Sequence, residues 1–338
     1  MATFKLYRLH FLSPLHIGDQ RGDNDISLKT IHSDTLYAAL MSCMVRQGKP
    51  IPDNGELGFT ISSLFPYYQK TVEDAPTYFL PLPKSSNIMH SSIRNDSSVL
   101  KKMKKVAWID AKYYRQCLDG KDLLSLSTEI MHGAYFTSTP LPTDNEGHTD
   151  FIVSSVVQRA TIPDRTGIEN TKPYFVDRVL FRNHAGLYFI AYGNTDVIDA
   201  VLPLLAQEGL GTDRNVGYGC FDYKVDTLEI DHPESSDYCV SLSTLIPENE
   251  QQLKEMLSGD EVAYDLARRG GWITTPPYST LRKNAIYAFL PGSVFSLPYS
   301  EEKSVIGKIV NLRPECGELT PKHPIWRNGK SILLPIKR

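Results

Sequence analysis

The sequence predicts an α+β fold of two ferredoxin-like (RRM-like, βαββαβ) domains with antiparallel sheets and a hairpin insertion. A strand–helix–strand–strand pattern fills the first 82 residues, and a helix, a glycine-rich loop and a strand follow between residues 196 and 230. A polar linker at residues 231–237 separates a shorter, less regular second half. We therefore expect domains over residues 1–230 and 238–338, the second of them degenerate.

The first domain begins with a strand over residues 3–12, where apolar and polar side chains alternate with one change of phase. A helix follows up to about residue 47, and Ser33 or Asp34 is expected to cap its N-terminus. The next strands are predicted at residues 58–68 and 78–82.

An insertion of about residues 84–150 interrupts this domain and contains the lysine cluster Lys101–Lys105. Two helices are predicted inside the insertion, at Ala111–Leu118 and Leu123–Met131. Strands resume at Phe151–Ile162 and Tyr174–Arg182, which predicts a hairpin over about residues 158–182.

The second half is predicted to contain two helices and several short strands. The helices are expected at Glu248–Leu257 and Glu261–Arg269. The strands are expected at Tyr238–Leu245, Ala285–Leu297, Gly307–Leu312 and Ser331–Ile336.

Charge restricts the classes of function. The net charge of −3 argues against a uniformly basic nucleic-acid-binding protein. The charge is segregated, however: Lys84–Lys105 contains six basic residues and one acidic residue, whereas Glu234–Glu261 contains seven acidic residues and one basic residue. One part of the molecule could therefore contact RNA while another faces solvent or a basic protein.

Cysteine spacing and hydropathy point to a protein without cofactor or membrane segment. The five cysteines are scattered without a CxxC pair, so neither a zinc site nor a disulfide framework is indicated. No apolar run approaches the roughly 20 residues of a membrane helix, and no secretory leader is evident. We expect no metal, no other cofactor, no membrane partner and a cytoplasmic location.

The glycine-rich loop, Gly209–Gly219, is the sharpest local signal. Four glycines in eleven residues allow positive φ angles and close approach to a ligand, and the amides of such a loop can bind phosphate. The spacing is not that of a dinucleotide fingerprint, because Arg214 stands where the third glycine would be. An ordinary glycine-rich turn stays open as the alternative.

Basic residues on the predicted hairpin form a second signal. Arg159 and Arg165 belong to a segment, Arg159–Arg182, with a net charge of +2, which suits phosphate contact by guanidinium groups. The alternative is a solvated hairpin with local ion pairs. The Lys101–Lys105 cluster is more typical of a solvated segment than of an RNA contact.

Catalysis receives little support from the sequence. His16 lies in a loop and could act as a general base in metal-free RNA cleavage, but no acid partner occurs at a recognisable spacing. Paired carboxylates for metal binding and a Gly-Gly-Asp-Asp sequence are both missing. A protein that is not an enzyme is therefore predicted.

Nine short segments occur in one order along the chain. They are Ser13–Gly18, Ser33–Leu36, Ile61–Pro66, Leu80–Lys84, Lys102–Trp108, Arg159–Gly167, Gly209–Gly219, Leu290–Phe295 and His323–Gly329. Taken together, they resemble the RAMP superfamily, and specifically the subunit that holds the guide's 5′ end in type III-A (Csm) CRISPR effector complexes.

The resemblance implies that the hairpin over residues 158–182 is a thumb against the guide and that a cleft binds the repeat-derived 5′ tag of the CRISPR RNA. It also implies protein contacts with the large polymerase-like subunit and the repeating RAMP backbone subunit, and indirect contact with target RNA. By the same resemblance, RNA contact is assigned to His16, Arg159, Arg165, Gly209, Gly211, Arg214, Gly217 and Gly219.

The predicted function is therefore a non-catalytic CRISPR RNA-binding subunit of a type III-A interference complex in antiviral defence. It would anchor the 5′ tag and bridge the large subunit to the backbone subunits. Two alternatives stay open: a metal-independent RAMP endoribonuclease that processes precursor CRISPR RNA, and a purely structural adapter that touches only proteins.

Overall fold

Strands make up most of the regular structure in the first 230 residues. A computed structural model describes residues 1–18, 25–84, 97–123, 130–160 and 173–338. Its strands up to residue 230 are β1 (Ala2–Phe11), β2 (Phe59–Ile61), β3 (Phe65–Tyr68), β4 (Thr77–Pro81), β5 (Trp108–Asp110), β6 (Met131–His132), β7 (Tyr135–Phe136), β8 (Ile152–Ala160), β9 (Pro173–Phe181), β10 (Gly186–Gly193) and β11 (Phe221–Ile230). The helices are α1 (Ser33–Arg46), α2 (Ser97–Met103), α3 (Ala111–Leu118) and α4 (Asp196–Glu208).

One large sheet contains nine of the described strands. Their order is β11-β1-β10-β3-β4-β5-β7-β6, with β2 also paired to β10. Its strand pairs are antiparallel except β5 with β7, which are parallel. Strands β8 and β9 form a separate antiparallel ribbon, called the thumb ribbon below. The predicted α+β class with mainly antiparallel sheets is confirmed.

Strand β1 is buried on both faces of the large sheet. Phe4 and Leu6 pack into one core cluster, whereas Tyr7, Leu9 and Phe11 pack into another. Successive side chains of a strand point to opposite faces, so this pattern needs no interruption. The register with β11 is indeed continuous over all ten residues, and the predicted change of phase is wrong.

Different elements cover the two faces of the sheet. Helices α1 and α4 cover one face, and α4 buries residues such as Ile198 and Leu205 at helical spacing there. On the other face, Leu6 shares a core cluster with Tyr114 of α3 and with Ile332 of the second half. The sheet is therefore enclosed partly by residues that lie far away in the sequence.

The N-terminus of α1 differs from the prediction. Its N-cap residue is His32, whose side chain makes no capping hydrogen bond. The Ser33 Oγ atom lies 2.7 Å from Thr244 Oγ1, and Asp34 is buried against two arginines of the second half. The predicted capping role of Ser33 or Asp34 is wrong, because both side chains bind residues of the second half instead.

The second half consists of short strands and one described α-helix, α5 (Glu250–Met256). The strands are β12 (Tyr238–Ser241), β13 (Leu266–Arg269), β14 (Ile286–Phe289), β15 (Val294–Ser296), β16 (Val305–Ile306), β17 (Ile309–Asn311), β18 (Trp326–Asn328) and β19 (Ser331–Pro335). Four of them form a sheet in the order β15-β12-β19-β16, and β13–β14 and β17–β18 form two-stranded ribbons.

Two predicted helices differ from the structure. The segment Glu261–Arg269 is not a helix, since its last four residues form β13 and pair with β14. Helix-forming residue types there are outweighed by strand pairing, which a local pattern does not reveal. The helix predicted at Leu123–Met131 falls mostly on residues 124–129, outside the described residues, and Met131 begins strand β6.

Within the described ranges, no helix is both long enough and apolar enough to cross a membrane.

Candidate nucleic-acid interface

Three chain segments meet at the end of β1: the loop Ser13–Gly18, the thumb ribbon and the glycine-rich loop. Leu15 exchanges backbone hydrogen bonds of 2.9 and 2.7 Å with Val179 of β9. On its other side the same loop accepts bonds from the glycine-rich loop, from Thr212 N to His16 O (2.9 Å) and from Gly219 N to Pro14 O (2.8 Å). The Ser13–Gly18 loop thus joins the thumb ribbon to the glycine-rich loop.

His16 lies inside this junction. Its side chain is only 4% exposed, and its Nδ1 atom lies 2.6 Å from the backbone oxygen of Asp177. A carbonyl oxygen only accepts hydrogen bonds, so Nδ1 carries the proton and the ring orientation is fixed. The Asp177 carboxylate accepts a bond from Ser27 N (3.0 Å), which ties the residues before α1 to the same place.

The four loop glycines all have positive φ, as the sequence analysis expected. The angles are +81° at Gly209, +91° at Gly211, +83° at Gly217 and +76° at Gly219. A Cβ atom at Gly211 would overlap the carbonyl oxygen of His16, and Cβ atoms at Gly209 and Gly219 would also overlap backbone atoms. Only at Gly217 would a Cβ atom meet nothing within 4 Å. The close approaches are thus to the protein's own backbone at three positions, with open space at the fourth.

Amides near the middle of the loop are unoccupied. The amides of Asp213, Arg214 and Asn215 make no hydrogen bond with any part of the chain that the structure describes. Asp213 has a left-handed backbone with φ +60°, and the two residues after it begin a short 3₁₀ turn. Successive free amides in such a conformation form a concavity that binds anions.

Arg159 of β8 bonds to the glycine-rich loop. Its Nη1 atom lies 2.8 Å from Asp213 Oδ2, and its guanidinium carbon lies 4.8 Å from the centre of the Tyr218 ring. Burial alone would lower the pKa of Arg159, but Tyr218, Tyr174 and Asp213 raise it above its ordinary value. Arg159 therefore stays charged, although part of its bonding capacity is used within the protein.

Arg214 lies on the other flank of the loop. It is half-buried and makes no hydrogen bond or ion pair with the described residues. It is close enough to Cys43 of α1 to oppose the rise in that thiol's pKa, to about 11, which burial and Glu208 cause. Its guanidinium is available to an external anion.

Most of the sequence-predicted site residues are brought together, and some contacts were missed. His16, Arg159 and the loop glycines are adjacent, whereas Arg165 lies outside the described residues. The sequence analysis did not single out Asp213, Tyr218 or Asp177, which hold Arg159 and His16 in place. The aromatic residue between two loop glycines was the one local signal that could have indicated Tyr218.

No group of three metal-ligating side chains capable of holding a metal ion occurs among the described residues.

Comparisons with known proteins agree with one another. Residues 234–336 match the family model of the CRISPR Csm4 C-terminal domain. A relative from Mycobacterium tuberculosis, named CRISPR system Cms protein Csm4, is 27% identical over 328 residues and 93% of each chain. A protein of the same name from Streptococcus thermophilus is 26% identical over 345 residues and 99% of each chain.

Two solved structures share the fold. A chain in the crystal structure of a Csm3–Csm4 subcomplex of the type III-A CRISPR-Cas interference complex matches with a TM-score of 0.60, 17% identity and full coverage of both chains. A chain in the Csm1–Csm4 cassette bound to AMPPNP matches with a TM-score of 0.58 and 18% identity, over 99% of this chain and 98% of that one. The family model at the C-terminal end and the relatives along the whole length place this chain in the Csm4 family.

Proposed function

We propose that the chain is the RNA-binding subunit of a type III-A CRISPR effector complex and that it holds the repeat-derived 5′ tag of the CRISPR RNA. Similar proteins carry the name Csm4, and the structures with this fold contain Csm3 or Csm1 beside it. By that likeness, its protein partners would be the repeating backbone subunit and the large polymerase-like subunit, with target RNA contacted indirectly. The role is in antiviral defence.

The strand order supports an interpretation as two ferredoxin-like domains, 1–230 and 238–338. The order β11-β1-β10-β2, with α1 following β1 and α4 following β10, is the 4-1-3-2 arrangement of a βαββαβ unit. The order β15-β12-β19-β16, with only α5 as an α-helix among the described residues, departs from it. The second domain is degenerate in this interpretation.

One observation carries the binding role: three consecutive unoccupied amides at residues 213–215 lie beside an unpaired arginine, Arg214, and the open space at Gly217. Amides and a guanidinium are the groups that bind phosphate oxygens. In this proposal Arg214, Gly217 and the outer edge of Arg159 face the RNA. His16 and the other loop glycines shape the cleft, and Arg165 extends the thumb contact.

The geometry does not favour the endoribonuclease alternative. A general base must reach the proton that it removes, but the His16 side chain is buried and its Nδ1 atom is bound to a backbone carbonyl. We therefore propose that the chain binds RNA without cleaving it. A purely structural adapter would have no use for free amides beside an unpaired cation.

Arg214→Ala tests the proposal. Fluorescence anisotropy of the full chain would use a single-stranded RNA with the 5′ tag and an RNA of equal length with the tag scrambled. We expect tighter binding of the tagged RNA, weaker binding by Arg214→Ala, and a log–log salt slope that is smaller by about 0.7, the contribution of one phosphate on a single strand.

The matched control is Arg115→Ala, which removes an arginine that is already paired with Asp119 (2.9 Å) and Asp231 (2.7 Å) on α3. Its RNA affinity and salt slope should equal those of the parent chain. Unchanged affinity and slope in Arg214→Ala would contradict the assignment of the site. Specific cleavage of the tagged RNA would support the endoribonuclease, and no RNA binding by the parent chain would leave the structural adapter.

A further inference from the structure

Positive charge is concentrated at the C-terminal end of the chain. Residues 266–338 contain twelve basic and four acidic residues, although the whole chain has a net charge of −3. The first part of this segment, 266–300, contains Arg268, Arg269, Arg282 and Lys283 and no acidic residue. Such a local excess is the electrostatic signature of a polyanion-binding surface.

These four residues lie on one two-stranded element, the basic ribbon, formed by residues 266–273 and 281–289. Beyond the β13–β14 pairing, the ribbon is extended by the bonds Ile273 N to Leu281 O (3.0 Å) and Lys283 N to Gly271 O (2.9 Å). The structure therefore turns an uncharged-acid-free stretch of sequence into one continuous surface.

The outward side of the basic ribbon combines arginine and aromatic side chains. Arg268 lies directly opposite Tyr287, whose side chain is 65% exposed. Further along, Trp272 lies opposite Arg282, and the Arg282 guanidinium carbon is 5.0 Å from the centre of the indole ring. Neither exposed arginine has a hydrogen bond or an ion pair with the described residues.

The inward side of the ribbon is anchored. Arg269, next to Arg268, binds the buried carboxylate of Asp34 in bidentate fashion at 2.8 and 3.0 Å and also contacts Thr35 Oγ1 at 3.1 Å. Adjacent arginines thus have different roles: one attaches the ribbon to helix α1, and the other is left without a partner. An anchored ribbon presents its outward side chains in a fixed position, which reduces the entropy lost on binding.

We propose that the basic ribbon is a second RNA contact, which binds a single-stranded segment through Arg268 and Arg282 on phosphates and Tyr287 and Trp272 on bases. Aromatic faces and arginine planes beside a positive surface are what single-stranded RNA-binding proteins use. This inference rests on the proposed function in taking RNA as the ligand, but it assigns a surface outside the glycine-rich loop and the thumb ribbon. An acidic protein surface is the competing partner, and the exposed rings directly beside unpaired arginines favour RNA.

The test compares Arg268→Gln/Arg282→Gln with Lys303→Gln/Lys337→Gln in the full chain. Both double variants remove two charges from the same region, but the two lysines are exposed and lie off the ribbon. With a tagged guide RNA, we expect the ribbon variant to bind roughly tenfold or more weakly, with a salt slope smaller by about 1.4 for two phosphates. The lysine variant should bind within about twofold of the parent chain.

Tyr287→Leu keeps an apolar side chain and removes the ring, so it separates stacking from charge. We expect it to weaken binding without altering the salt slope, and we expect 4-thiouridine-substituted guide RNA to crosslink to the ribbon peptides of the parent chain. Melting temperatures of all variants should match the parent, because the exposed side chains have no bonds to lose.

The outcomes distinguish this inference from the proposed function. If Arg214→Ala weakens RNA binding while the ribbon variant binds like the parent chain, the proposed function stands and the ribbon contact is overturned. If the ribbon variant keeps its RNA affinity but loses association with a neighbouring subunit, the ribbon belongs to a protein interface and the inference is again overturned. If the parent chain binds no RNA, both fail.

Discussion

Four ionisable side chains meet where helix α1 contacts the second half: Asp34, Arg269, Arg327 and Lys283. Burial raises the pKa of Asp34, but Arg327 and Arg269 outweigh burial and hold that pKa below its usual value. One carboxylate cannot balance three cations, so the pKa of Lys283 is lowered to about 8, first by burial and then by the two arginines. An RNA phosphate at the basic ribbon would supply an additional anion at this place.

Lys283→Met should therefore raise the melting temperature at pH 7, and the gain should disappear as the pH rises from about 8 to 10.4. Below pH 8 the lysine is charged in both states, and the folded chain bears the full cost of placing that charge beside two arginines. Between pH 8 and 10.4 the folded chain loses this proton while the unfolded chain, with an ordinary lysine pKa of about 10.4, keeps it, so the parent chain gains stability.

Thermal melts of the parent chain, Lys283→Met and Lys303→Met at pH 7, 9 and 10.5 measure this effect. Lys303 is exposed, so its variant should melt like the parent at every pH. A difference between the parent and Lys283→Met that is the same at all three values would show that the charge of Lys283 does not oppose folding.

At the scale of elements, the glycine-rich loop allows two effects of glycine to be separated. Gly217→Ala should destabilise the fold by about 1–2 kcal/mol through its positive φ and should also weaken RNA binding, because the new methyl group enters the open space. Gly211→Ala should cost more, since its Cβ atom would overlap the His16 carbonyl oxygen and disturb the junction. Chemical denaturation and anisotropy with tagged RNA measure the two effects.

Gly147→Ala is the matched control for Gly217→Ala. Gly147 has a φ of +82°, against +83° at Gly217, and a Cβ atom there would also meet nothing within 4 Å. It lies in the insertion, so its variant should lose similar stability and keep full RNA affinity. Parental RNA affinity in Gly217→Ala would place the RNA away from this face of the loop.

Local patterns predicted the elements that local interactions determine. Helix α3 has the predicted bounds, and Asp110 caps it by accepting a bond from Lys112 N (3.1 Å). The positive φ angles of the loop glycines were predictable for the same reason, since they depend on backbone sterics at each residue.

Features that depend on distant partners were not predictable from local sequence. Asp34 was expected to cap α1, but its partners Arg269 and Arg327 are 235 and 293 residues away. Strand β13 was expected to be helical, because only its pairing with β14 makes it a strand. The contact of Arg159 with Tyr218 likewise joins the thumb ribbon to a loop that a local pattern does not connect with it.

At the scale of the whole molecule, the two halves share a core. One hydrophobic cluster contains Phe4 and Leu6 of β1 together with Val240 of β12 and Leu334 of β19. The ion pairs of Asp34 with Arg269 and Arg327 add a polar connection between the same halves. Removing either half would expose a large apolar surface, so we expect the halves to unfold together although the sequence separates them by a polar linker.

Leu6→Ala and Leu334→Ala test this cooperativity. Both leucines are fully buried, so each substitution should cost about 2–5 kcal/mol. Because the two side chains belong to one cluster, differential scanning calorimetry should show a single transition that both variants move to lower temperature. Leu319→Ala, at a leucine that is 66% exposed, should leave the transition unchanged. If the halves were independent, the parent chain would show two transitions, and Leu6→Ala and Leu334→Ala would each shift a different one.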